Sequence, residues 1–488
     1  MVKVLLNKLS TEKSLKNISL GVRKNISILL VTIKRLKYGF TLLNCSASLN
    51  YSIKHVNEVT MKKISVMTAC ALMLGINNVY AAGYQLNEYS TTGLGRSFAG
   101  LGVVGDDYSA MGFNPAGMTL VKDSGFQLGM AATEIASKAK GEHGTDKMDY
   151  FVPLPSAMGQ YNVNNKFFIG AGVYVPYGLS TKYKHDSHVA TQSEGGVRKS
   201  VLKVIDSNLS LAYRFDNGLS IGGSAILRWI EGQLTSNINR QVAPGHYATI
   251  GYNDYRVNGW SNSWHLGAVY EFDKDTRLGL SYRFKSTQKP RGKQYVYLTD
   301  MGVAGLNGMA GMEIFDKFNR YNTMSDPELP ASWILSGFHK WNDKWASSFT
   351  VKYAQWHRFY TFPAKSTFPG NGNYDVDYKW KDAWTFAVGQ EYYMNDNWTL
   401  RAGTAWDQTP TPNNAHRTNR IPDTDRIWLS AGASYKTGNH QFDFGYAHLF
   451  MMHGRTRNDL ATMPQHKDAQ VEYHNHSNMF AVQYQYHF

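Results

Sequence analysis

The feature that most constrains this chain is a strict alternation of apolar with polar or small side chains, repeated segment after segment. In the last nine residues Phe480, Val482, Tyr484, Tyr486 and Phe488 share one face, and Ala481, Gln483, Gln485 and His487 share the other. Leu278-Gly-Leu280-Ser-Tyr282-Arg-Phe284, Leu209-Ser-Leu211-Ala-Tyr213-Arg-Phe215 and Phe442-Asp-Phe444-Gly-Tyr446-Ala-His448 follow the same rule. Period two is strand geometry, because successive side chains of a strand point to opposite faces. Alternation over such lengths gives each strand two different solvents.

Turn chemistry is an independent signal. Asn162–Asn165, Asp216-Asn217-Gly218, Asp273-Lys274-Asp275, Asn342-Asp343-Lys344, Asn395-Asp396-Asn397 and Thr437-Gly438-Asn439 are tight polar turns, each between two alternating segments. Longer polar stretches lie between the resulting hairpins, over residues 137–154, 177–202, 233–258, 286–330, 360–377, 407–424 and 453–470. Six short turns alternating with seven long loops require fourteen strands, with both termini on the short-turn side.

That pattern predicts an all-β fold, a 14-stranded antiparallel transmembrane β-barrel of the outer membrane, apolar outside and polar inside. Closure is obligatory there, because an open sheet edge in lipid would leave backbone groups unsatisfied. Trp341, Trp345, Trp398 and Trp406 stand where interfacial aromatic girdles belong. A helical membrane protein is disfavoured: mean hydropathy is −0.40, and no uncharged apolar run reaches about 18 residues. Disorder is disfavoured by 31 Tyr, 23 Phe and 12 Trp. The competing reading, a soluble periplasmic sandwich or propeller, gives no reason for a closing aromatic strand that ends in Phe488. That ending suits delivery to the outer-membrane barrel assembly machinery.

A net charge of +14 over 488 residues suggests an anionic partner until the charge is located. Residues 1–60 carry ten Lys or Arg against two acids. Met61-Lys62-Lys63, an apolar run from Ile64 to Ile76 and Val79-Tyr80-Ala81 then read as a secretory signal peptide. The predicted organisation is therefore an upstream extension at 1–60, absent from the mature protein, and a cleaved signal at 61–81. An N-terminal hatch at 82–124 and the barrel at 125–488 follow. The last two together keep a net charge of only +4 and contain neither Cys45 nor Cys70. Nucleic acid is excluded as a partner, and no disulfide or thiolate metal site is expected.

Residues 82–124 are small, Gly-rich and lack alternation, as suits a plug folded into the lumen. Ala82-Gly83-Tyr84-Gln85-Leu86-Asn87-Glu88, Gly93-Leu94-Gly95-Arg96, Asp106-Asp107 and Asn114-Pro115-Ala116 resemble the hatch of the FadL family of outer-membrane long-chain fatty acid transporters. The resemblance continues at Tyr177-Gly178-Leu179-Ser180-Thr181, Leu329–Trp333, Asp396–Gly403 and Ile421–Gly432. It implies capture of a long-chain fatty acid at an external apolar groove and rearrangement of the hatch. The ligand then leaves sideways through a gap at a kink in the third strand. Asn114, Pro115 and Ala116 match the gating element, and Pro176, Tyr177 and Gly178 match the kink.

A fatty acid carboxylate also needs a cation. Alternation puts Arg214, Arg283 and Arg401 on the lumenal face, and Arg96 and Arg426 lie in family-like motifs, so these five are the candidates. The family's basic ligand residue on strand five has no counterpart in Leu234-Thr235-Ser236-Asn237, which leaves acid versus neutral hydrocarbon open. Gly100-Leu-Gly102-Val-Val-Gly105 lacks the βαβ context of a dinucleotide site, and His453, His466, His474 and His476 have no compact metal spacing. No GxSxG occurs. The expectation is a monomeric transporter without cofactor or metal, embedded among outer-membrane lipids and lipopolysaccharide. An uptake channel for aromatic hydrocarbons is the alternative, followed by a lipid-cleaving barrel enzyme and then a porin or adhesin.

Overall fold

The computed structural model describes residues 83–488 except 312–313, 360, 370–373 and 457–468. The expected upstream extension, the signal peptide and most of the 453–470 loop lie outside the described residues.

Fourteen antiparallel strands close into a barrel. In chain order they are β1 (Gly125–Gly141), β2 (Gly144–Asn162), β3 (Phe167–Lys182), β4 (Val197–Arg214), β5 (Leu219–Ala243), β6 (His246–Glu271) and β7 (Thr276–Arg283). The second half comprises β8 (Ser332–Lys340), β9 (Trp345–Ala354), β10 (Ala383–Tyr393), β11 (Trp398–Asp407), β12 (Arg426–Thr437), β13 (His440–Met451) and β14 (Val471–His487). Each strand pairs with the next, and β14 returns to β1 from His487↔Gly125 to Val471↔Gly141. The ladder therefore has no lipid-exposed end.

The alternation sorts side chains as expected. On β4, Leu209, Leu211 and Tyr213 face outward and are exposed, whereas Asn208, Ser210 and Ala212 are buried toward the lumen. On β14, Phe480 and Val482 are exposed and Gln483 and Gln485 buried. Trp341, Trp345 and Trp398 are exposed beside the short turns, at one rim of the lipid-facing band.

Two of the expected long loops are strand. β1 and β2 pair as far as Gly141↔Gly144, and β5 and β6 as far as Ala243↔His246, so only residues 142–143 and 244–245 turn the chain. Alternation cannot report these extensions. Beyond the lipid band both faces of a strand meet water, and the backbone ladder persists without an apolar face. Residues 286–330 likewise contain Arg291–Leu298 paired to the outer end of β6, Phe318–Ser325 paired to that strand, and a helix at Asp300–Ala310.

Residues 83–124 form two one-turn helices, α1 (Thr91–Leu94) and α2 (Ala110–Phe113), and a 3₁₀ segment at Pro115–Leu120. Leu94, Ala99, Val103, Met111, Phe113 and Ala116 are all buried against lumenal side chains. This segment is the plug.

Candidate functional site

The hatch sits on the barrel wall at places where the wall has no side chain. Gly222 of β5 pairs across the strands with Gly267 of β6, and Gly279 of β7 lies alongside. A Cβ on Gly267 would stand 2.0 Å from Asn114 Oδ1, and one on Gly222 would stand 2.5 Å from Ala116 N. Asn114 uses this approach fully. Its Oδ1 accepts from Ala116 N at 3.1 Å, and its Nδ2 donates to Ala268 O at 3.0 Å and Leu280 O at 3.4 Å. Asn114, Pro115 and Ala116 are thus bonded to or packed on β5–β7. A second glycine seat, Gly389, Gly403 and Gly432 on β10–β12, receives Gly95 and Arg96.

The third strand leaves its neighbour halfway up the wall. β2 and β3 pair only from Asn162↔Phe168 to Ala157↔Val173. β3 stays paired to β4 as far as Lys182, with a register shift between Tyr174 and Tyr177 that takes in Pro176. Proline has no N–H to give a ladder, and a bulge bends the strand that carries it. The edge turned away from β2 bonds instead to the start of the hatch. Leu86 N donates to Pro176 O and Gly178 N donates to Tyr84 O, each at 2.8 Å. Higher up, Tyr150 Oη of β2 approaches Ser180 Oγ of β3 at 3.0 Å.

Tyr84 is enclosed by aromatic rings, with centroids at 4.8 Å to Trp356, 5.4 Å to Phe359 and 6.1 Å to Tyr177. Its hydroxyl and that of Tyr177 are buried with no hydrogen-bond partner among the described residues. A buried donor left unpaired costs about 1–3 kcal/mol. The hatch start is therefore held by packing while carrying an unmet polar group.

The five expected cations are all engaged by carboxylates. Arg96 of the hatch and Arg401 of β11 share Asp106 and Glu391, with Arg96 Nη1 2.6 Å and 2.5 Å from them and Arg401 3.1 Å and 3.0 Å. Arg283 meets Asp206 of β4 at 2.9 Å and donates to Gly112 O of the hatch at 2.7 Å. Arg214 meets Glu271 at 3.0 Å, and Arg426 meets Asp423 at 2.9 Å and Asp407 at 3.4 Å. These pairs satisfy charges that would otherwise be buried alone, which is structural work. Asp206 also receives Arg228 through two bonds of 2.6 and 2.8 Å. Asp206 and Arg228 were legible as lumenal from their phase in β4 and β5.

Above the hatch lies an apolar cleft lined by Tyr84, Leu179, Leu202, Ile230, Leu234 and Ile421, among others. None of the five arginines lines it. Arg420 does. This residue precedes the Ile421–Gly432 motif, and only its neighbourhood marked it in the sequence. The cleft thus touches the first residues of the hatch and the part of β3 beyond its break.

Residues 72–488 match the family model described as outer membrane protein transport protein (OMPP1/FadL/TodX). A relative named long-chain fatty acid transport protein from Salmonella typhi is 30% identical over 435 residues, covering 82% of this chain and 94% of its own. Among solved structures, a Pseudomonas aeruginosa FadL homologue superposes with a TM-score of 0.74 at 23% identity, covering 83% of this chain and all of that one. The Ralstonia pickettii toluene transporter TbuX does so at 0.59 and 20% identity, covering 83% and 99%. With its plugged fourteen-stranded barrel and this match across the barrel and hatch, the chain belongs to the OMPP1/FadL/TodX family of outer-membrane transport proteins.

Proposed function

We propose that the protein takes up long-chain fatty acids through the outer membrane. The ligand is captured in the apolar cleft, the hatch rearranges around Asn114, Pro115 and Ala116, and the ligand leaves sideways past Pro176, Tyr177 and Gly178. One observation carries the reading: β3 parts from β2 above Val173, and the edge it frees is bonded to the hatch rather than to the wall. A hydrocarbon tail crossing a watery pore loses about 0.8 kcal/mol per exposed methylene. A covered cleft that leads to a break in the wall avoids that loss. The name of the Salmonella relative supports the same substrate class.

Uptake of monoaromatic hydrocarbons is the second reading. It is favoured by the aromatic surroundings of Tyr84 and by the description of TbuX as a toluene transporter. The deciding experiment compares entry of labelled oleate and labelled toluene into cells with and without the protein. Oleate entry that depends on the protein supports the first reading, and toluene alone supports the second. Indifference to both removes the transporter. Deleting residues 83–122 should abolish selective uptake or leave an open pore, whereas a surface enzyme would be unaffected.

A further inference from the structure

The outward face of the barrel changes character at the long-loop end of β14, β1 and β2. Alternation turns Ile135, Ser137 and Ala139 of β1 inward, where they are buried, so Lys138 and Lys140 point away from the lumen and are exposed. Register completes a row across three strands. Lys138 lies opposite Lys147 of β2 on one side and opposite His474 of β14 on the other. One outward row lower, His476 lies opposite the exposed Phe450 of β13, and below that level Phe151, Phe480 and Val482 are exposed. The lysines therefore line the upper margin of the apolar band, at the level of the outer-leaflet head groups.

Like charges directly opposite on neighbouring strands oppose pairing. Among the described residues no acid takes up Lys138, Lys140 or Lys147. Glu472, opposite Lys140, pairs with Arg455 at 3.1 Å, and Glu134 accepts from Asn478 Nδ2 at 2.5 Å. Asp149 of β2 stands one row below Lys147 and is itself exposed. Directly opposed side chains start about 5 Å apart, so both ammonium groups can reach one anion. A pair of cations is matched by an anion of charge near two. A phosphate monoester carries about that charge at neutral pH, with three acceptor oxygens, whereas the phosphodiester of an ordinary phospholipid carries one. The outer-leaflet amphiphile with monoester phosphates is the lipid A of lipopolysaccharide, whose several acyl chains would lie on Phe480, Val482 and Phe151.

We propose that Lys138 and Lys147, with Lys140 beside them, bind a phosphate monoester of lipid A and hold a lipopolysaccharide molecule on the outer face of β14, β1 and β2. The site lies outside the barrel, and its test does not depend on what the barrel carries. The purified full-length barrel in detergent is titrated with three probes: diphosphoryl lipid A, the same lipid A with both phosphates removed, and phosphatidylglycerol. The wild type should bind diphosphoryl lipid A at least about tenfold more tightly than either of the others. K138Q/K147Q should weaken that binding about tenfold to thirtyfold and leave dephosphorylated lipid A within about twofold. K166Q/K274Q removes two lysines beside the short turns and should leave all three affinities unchanged. Heat-modifiable gel migration checks that each variant is folded, and K147Q alone decides by the same ratio should the double variant not assemble. Equal binding of phosphorylated and dephosphorylated lipid A, an unchanged affinity in K138Q/K147Q, or the same loss in K166Q/K274Q overturns the site. Phosphatidylglycerol bound as tightly as diphosphoryl lipid A overturns the lipid A assignment.

Discussion

Glu88 shows how a single hatch residue is set by its surroundings. It belongs to the opening motif of the hatch, is buried, and accepts from Asn87 N at 2.7 Å. Burial pushes its carboxyl up from 4.5 to about 7, against the pull of Lys352 and Arg426, the charged groups that face it. A folded value above the unfolded one means that protonation favours the seated hatch. This contribution is complete below pH 4.5, falls as the pH rises toward 7, and is absent above it. Amide exchange over residues 84–90, corrected for intrinsic rate, should show protection lower at pH 8 than at pH 5 by up to about 3 kcal/mol. Glu88→Gln should flatten that dependence. The same scale explains why the partners of the arginines could not be read from the sequence. Alternation says which face a guanidinium occupies, but its partner depends on residues such as Asp106 and Glu391, which are 285 positions apart and meet only in the folded barrel.

At the scale of elements, the wall and the hatch are shaped for each other by what the strands omit. Gly267→Ala brings a methyl group to 2.0 Å from Asn114 Oδ1, so Asn114 must give up its bonds to Ala116, Ala268 and Leu280. Overpacking of this kind costs about 1–3 kcal/mol. Cells carrying the variant should become sensitive to bulky antibiotics that the seated hatch excludes, with the barrel still heat-modifiable. Gly223→Ala is the control, since its Cβ meets the end of the Leu266 side chain at 3.2 Å and His265 O at an ordinary 3.7 Å, with no hatch atom among them. In the sequence these glycines look like ordinary small residues of alternating strands. Pro176 was visible as a place where ladder bonding fails. That the freed edge is taken up by Tyr84 and Leu86, about 90 residues earlier, was not.

Across the whole molecule the hatch works as a strut. One side is seated on β5–β7 through Asn114. The other is tied to β10 and β11 through Arg96 and Asp106, and to β13 and β14 where Gln441 and Gln485 donate to Asp106 O at 3.4 and 3.1 Å. Burial opposes ionisation of Asp106, yet Arg96 and Arg401 hold its carboxyl well below the usual range. Asp106→Ala leaves both guanidiniums short of an acceptor, a change of about 3–5 kcal/mol at a buried pair. Planar-bilayer recordings should show open-pore events that the wild type lacks, and an unaltered conductance would count against the strut.

Period-two patterning and turn chemistry were enough to determine a closed barrel of fourteen strands with its apolar face outward. Both are local consequences of backbone geometry and of the solvent each face meets, so they are written into consecutive residues. The tertiary structure alone decided that the hatch takes up the edge β3 frees, and which carboxylates the lumenal arginines meet. Those outcomes depend on distances between residues far apart in the chain, and a guanidinium reads the same in sequence whichever carboxylate it meets.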